Sequence, residues 1–140
     1  MTPLWEMGAN WGLFFLRLGL GLIFVTHGYP KMTGIESGAK ASREGLTNSI
    51  RRLGLPFPHQ LAIVIGTIQF LGGWMLLLGW GTRWAASVLA VIMLAASTRN
   101  FVKKQFVDSA DFPFSLLTSL IALSLLGGGA FSLERFLSGF

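Results

Sequence analysis

The chain has no cysteine among its 140 residues. Disulfides, thiol redox chemistry, thiolate-bound zinc and cysteine-ligated iron–sulfur clusters are therefore excluded within it. Charge is also scarce: 12% of residues are charged, against about 25% in an average soluble domain. So few charges cannot cover a water-facing surface, and part of this surface has to meet lipid. Acidic residues are the scarcer kind, 6 against 11 basic, leaving a formal charge of +5. That balance suits nucleic acid or an anionic membrane surface, and no nucleic-acid-binding module is recognisable, so the membrane is the expected partner. Histidine occurs only as His27 and His59; with no third ligand or attachment motif, no haem or metal site is expected. The chain lacks a phosphate-binding glycine loop and any grouping of nucleophile, base and oxyanion donor. A self-contained hydrolase or NTP-driven machine is not expected, and no residue is assigned as catalytic.

Apolar residues are plentiful, at 52%. They gather in four stretches, 11–29, 60–78, 83–101 and 112–131, each close to the ~20 residues that carry a helix across ~30 Å of hydrocarbon. None alternates apolar and polar residues as a membrane barrel strand must. The expected fold is an all-α membrane protein, a four-transmembrane-helix antiparallel bundle forming one domain over residues 1–140. Gly79-Trp80-Gly81-Thr82 leaves room only for a tight hairpin between the second and third helices. The linker from Pro30 to His59 is long, and Leu46, Ile50 and Leu53 recur in it at i, i+4 and i+7. That spacing fits an amphipathic interfacial helix; a solvated loop is the alternative, since Gly45 weakens a helix. Met1–Asn10 has no Lys or Arg, and Gly8-Ala9-Asn10 precedes the apolar run rather than following it, so the first segment is expected to stay in the mature protein.

Orientation follows from the basic residues. Lys31, Lys40, Arg43, Arg51 and Arg52 in the linker and Arg99, Lys103 and Lys104 in the third loop outnumber Arg83 and Arg135 on the opposite side. The excess is expected in the cytoplasm, which puts both termini on the outer side. Trp5, Trp11, Trp80 and Trp84 would form an interfacial belt there.

Polar groups inside a bilayer are costly and invite functional readings. Arg17, Gly21, Phe24, Gly28 and Lys31 follow steps of 4, 3, 4 and 3 and so share one helix face. Arg17 either snorkels to the interface or points inward to a ligand. His27 lies one position off that face; it either bonds a ligand carbonyl or relays a proton, or caps the helix end. Gln69, mid-way along the second helix, either bonds a neighbouring helix or accepts a ligand. Ser115, Thr118 and Ser119 are expected to bond carbonyls of their own helix. Gly12, Gly19, Gly21 and Gly28, with Gly66 and Gly73, let helix backbones approach closely.

The run Leu16-Arg17-Leu18-Gly19-Leu20-Gly21-Leu22-Ile23-Phe24 leading to His27-Gly28 and Lys31 resembles the first helix of the DoxX family. Leu53-Gly54-Leu55-Pro56, then Gly66, Gln69, Leu71-Gly72-Gly73 and Gly81-Thr82-Arg83, is similar to its second segment. Leu126-Gly127-Gly128-Gly129 with Phe131-Ser132-Leu133-Glu134-Arg135 resembles its end. The resemblance implies a four-helix bundle in a bacterial or archaeal cytoplasmic membrane, associated with quinones or respiratory complexes. It carries Arg17, His27, Gly28 and Lys31 over as candidate ligand-binding positions, to which Phe24 and Gln69 are added from the helix faces. Many relatives have Glu where this chain has Gln69, and an amide does not exchange a proton at neutral pH, so a contact role survives there and a relay does not. Two functions follow as expectations. One is a membrane redox component binding quinone between its helices, with electrons from a partner subunit or substrate. The other is a non-catalytic accessory subunit, or homo-oligomer, docking through its glycine faces and basic linker. A proton-coupled transporter is disfavoured by the lack of an intramembrane acid.

Overall fold

The computed structural model describes residues 3–35, 40–102 and 111–139. Lys103, Lys104 and Asp108 of the third loop lie outside them, as do the side chains of Lys40, Arg99 and Asn100. Among the described residues there are six helices and no strand: α1 Leu4–Thr33, α2 Lys40–Arg52, α3 Pro58–Leu78, α4 Thr82–Val102, α5 Asp111–Leu126 and α6 Leu133–Ser138. Helices α1 and α3 are long and apolar enough to cross a membrane, while α4 and α5 supply shorter apolar stretches, Thr82–Thr98 and Asp111–Leu126.

The boundaries depart from the apolar stretches where local chemistry overrides hydropathy. Helix α1 begins at Leu4, directly after Pro3, and passes through Pro30 to end at Gly34. Pro30 lacks an N–H, but so near the helix end it interrupts only one bond of the ladder. Gly34 then takes a left-handed conformation (φ 69°) and its N–H bonds Pro30 O, which closes the helix as such a glycine does. The fourth apolar stretch does not remain helical to Phe131. Its helix stops at Leu126, because Gly127 and Gly129 adopt φ 82° and 74°, and Gly127 N–H bonds Leu123 O at 2.8 Å. The chain restarts as α6, where Ser132 Oγ accepts the Arg135 N–H. The linker forms a 13-residue helix, α2, with Ile50 and Thr47 buried. Gly45 sits in it with open space around its Cα, so it loosens the helix without breaking it.

Helices α1 and α3 pack through glycines from both sides. A Cβ at Gly28 would lie 2.5 Å from Phe70 N and 2.7 Å from Gly66 O; one at Gly73 would lie 2.7 Å from Val25 N. One at Gly66 would strike Lys31. These contacts fix a register. If the stretches 11–29 and 60–78 lay level, Trp11 would face Leu78. Instead Gly21 meets Leu77, Val25 meets Gly73 and Lys31 meets Gly66. Helix α1 is thus displaced along α3 by about nine residues, or roughly 13 Å at 1.5 Å per residue. Its first turns project past the end of α3, and its last turn stops part-way along it.

The core lies between this pair and the α4–α5 hairpin: Leu20 and Phe24 of α1, Leu76 of α3, Ala86 and Leu89 of α4, Leu120 and Leu123 of α5. Large apolar side chains on the other faces remain exposed, among them Trp84, Val91, Leu71 and Leu125. A soluble monomer exposes apolar patches of only a few hundred Å².

Candidate functional site

Helix α1 carries two inward cations, and the fold separates them. Arg17 is 1% exposed. It lies at the end of the bundle where α6 begins, against Gly79 of the α3–α4 turn and beside Ser132. Its Nη2 donates to Phe131 O at 3.0 Å, and its guanidinium carbon sits 5.9 Å from the Phe14 ring centre. Among the described residues its Nε and Nη1 are sealed from solvent with no bonding partner, as is Thr82 Oγ1 nearby. Gly79 (φ 72°) and Gly128 leave the space this cluster fills. Of the two orientations open to it, Arg17 takes the inward one; what it meets is the backbone of its own chain.

Lys31 lies at the other end of the same face. Because α1 is displaced and Gly66 admits its last turn, Lys31 reaches the middle of α3 rather than the helix end. Its Nζ donates to Gln69 Oε1 at 2.9 Å, and Gln69 is 3% exposed. Gln69 is eleven residues beyond Pro58, about 16 Å along α3, near the helix midpoint. Both residues line a cavity of about 510 Å³ whose remaining walls are almost wholly apolar. Helix α2 contributes Leu46, Ser49 and Ile50, α3 adds Ile65, and α4 adds Val91 and Ala95. Such a volume and lining, with a few convergent polar groups, is the usual form of a small-molecule site.

Helix α2 is held over the cavity by Arg43. Its Nε donates to Lys31 O at 2.7 Å and its Nη2 to Met32 O at 2.6 Å. Those carbonyls end α1 and have no partner within the helix, so one side chain both caps α1 and seats α2.

Of the six positions expected to bind a ligand, only Lys31 and Gln69 come together on the cavity wall. Phe24 is in the core. Gly28 is taken up by the α1–α3 contact. Arg17 is at the opposite end. His27 is exposed, bonded through Nδ1 to Ile23 O at 2.9 Å, with its ring 5.9 Å from that of Phe112. His59 is also exposed. The hydroxyls of Thr118 and Ser119 both bond Ser115 O of their own helix. The walls supplied by α2 were legible only as an i, i+4 apolar pattern, and Arg43 only as one linker charge among several.

The DoxX family model matches residues 12–102, from α1 through α4. The chain belongs to the DoxX family. This family of membrane proteins includes two curated relatives that cover nearly the whole chain. This DoxX chain is 30% identical over 125 residues to the Bacillus subtilis (strain 168) protein named "Putative oxidoreductase CatD", covering 89% of the chain and 86% of that protein. It is 25% identical over 131 residues to the Escherichia coli (strain K12) "Inner membrane protein YphA", covering 88% of each. No solved structure matches it. Lys31, Gln69 and all the α2 walls of the cavity fall inside the matched DoxX region.

Proposed function

We propose that this DoxX protein is a component of a redox system in a bacterial or archaeal cytoplasmic membrane and that it binds a quinone in the α2–α3–α4 cavity. One observation carries the reading: a lysine and a glutamine, 2.9 Å apart, are the polar focus of an otherwise apolar cavity near the midpoint of a membrane-length helix. A quinone asks for the same arrangement, an apolar slot for the ring and donors for a carbonyl oxygen. Lys31 carries three N–H donors and Gln69 two. The oxidoreductase name of the Bacillus relative supports a redox role, and the Escherichia relative supports an inner-membrane site. In this reading α1, α3, α4 and α5 cross the bilayer, and both termini lie on the outer side with exposed Trp5, Trp80 and Trp84 at the interface. Electrons would pass through a partner subunit or a bound substrate. The accessory-subunit reading has less support, because Gly21, Gly28, Gly66 and Gly73 are spent on α1–α3 packing within the chain, leaving Gly12 and Gly19 as the open glycines of α1.

The test is decylubiquinone binding to detergent-purified protein, read by quenching of its tryptophans. Lys31→Met and Gln69→Leu, which keep side-chain volume, are expected each to weaken binding about tenfold, equivalent to about 1.4 kcal/mol. Folded variants that bind as tightly as the parent would overturn the reading.

A further inference from the structure

The cavity is about half open, and its exposed rim indicates how its ligand arrives. Its blind end is the α1–α3 seam, where Lys31 packs on Gly66 and bonds Gln69. Arg43 pins α2 to the last carbonyls of α1, which shuts the path from the linker side along α1. Helix α2 packs on α3 and on α1, and among the described residues it makes no comparable contact with α4. The cavity occupies the space between α2 and α4. Its two lips are Leu53 and Leu55, just past α2, and Val91 on α4; all line the cavity and all are exposed, Val91 by 67%. An opening rimmed by Leu and Val, on a helix whose neighbouring exposed residues include Val88 and Leu94, faces hydrocarbon rather than water. Apolar rims of this kind are unfavourable to solvate, and a hydrophilic solute would exchange its hydration mostly for apolar side chains there.

Building on the quinone reading, we infer that the ligand enters sideways from the bilayer through the α2–α4 gap, head first. It is therefore a long-tailed quinone dissolved in the membrane and not a water-borne one. The head stops at Lys31 and Gln69. The tail lies between Leu53–Leu55 and Val91–Ala96 and continues into the lipid. Among the described residues Lys31 is the one charged side chain on the cavity wall, so a neutral tail passes apolar side chains on its way to it.

The experiment reconstitutes the full chain in proteoliposomes with a quinone carrying a diazirine on its isoprenoid tail. After illumination, adducts are mapped by mass spectrometry, with excess unlabelled long-tailed quinone as competitor. Competed adducts within residues 53–55 and 91–96 are expected. Competed adducts confined to other segments would overturn the lateral path while leaving quinone binding in place. No competed adduct anywhere would overturn both. A second variant guards against a mislocated photophore. Val91→Trp fills the lip from an exposed position, so the fold should hold. It is expected to weaken decylubiquinone binding at least tenfold while a tail-less dimethoxybenzoquinone loses less than twofold. Unchanged decylubiquinone affinity in folded Val91→Trp would overturn the lateral path.

Discussion

Arg17 and Lys31 are both cations on the inward face of α1, about four turns apart. Around Arg17 the chain is dense. Two glycine-containing turns and a serine close on it, and its bond is to a main-chain oxygen. Among the described residues Lys31 sits more openly, in the last turn of α1 where α2 crosses at a distance from α4 and a cavity remains. A buried polar group in a packed setting acts on stability, because its environment has no room to change partners. The same kind of group beside empty apolar volume is available to a ligand. Burial alone does not tell the two roles apart; the free volume next to the charge does.

The sharpest way to break the comparison is to break the seam that sets both environments. Gly28→Leu drives a branched side chain into the Phe70 backbone, and folded protein should be lost on size-exclusion chromatography in mild detergent. Gly28→Ala should survive but cost about 1–3 kcal/mol, seen as a lower melting temperature. Next, Arg17→Met should destabilise the chain by about 2 kcal/mol, the scale of a hydrogen bond to a charged group. It should also speed chymotrypsin cleavage at Phe131 and Phe136, and leave quinone affinity within twofold. Loss of quinone binding without loss of stability in Arg17→Met would mean the two cations are alike after all. Lys31→Met should do the reverse, with a melting temperature near that of the parent and affinity down about tenfold. Arg43→Gln removes the clamp between α1 and α2 at a cost of about 1 kcal/mol, and trypsin should then reach Arg51 and Arg52 faster than in the parent. The smallest effect is expected from His27→Ala. Its ring is exposed and bonded to its own helix, so both stability and affinity should be unchanged; a clear loss of affinity would put a second ligand contact outside the cavity.

Much of the architecture was legible in the sequence. The four apolar stretches became helices, the Gly79–Gly81 turn made a tight hairpin, and Leu46 and Ile50 marked α2. The stripe Arg17, Gly21, Phe24, Gly28 and Lys31 is the inward face of α1, as its spacing required. The misplaced boundaries have local causes. Hydropathy is blind to glycines that take positive φ, so it carried the fourth helix past Gly127, and it treated Pro30 as a stop although a late proline costs only one bond. The candidate site was half legible. Lys31 and Gln69 were singled out separately, as a helix-end cation and a mid-helix amide, with nothing in their spacing to join them.

Composition and periodicity alone determined that this chain is helical, membrane-suited and without thiol chemistry, because those properties depend on what each segment can do by itself. Only the tertiary structure decided that Lys31 bonds Gln69, that Arg17 is locked under the terminal turns, and that α2 roofs a cavity. The reason is the glycine contact between α1 and α3. Four glycines let the backbones touch at this register, and that register slides α1 by roughly 13 Å. A pattern that repeats along each helix cannot encode the offset between two of them; the steric fit of the two surfaces does.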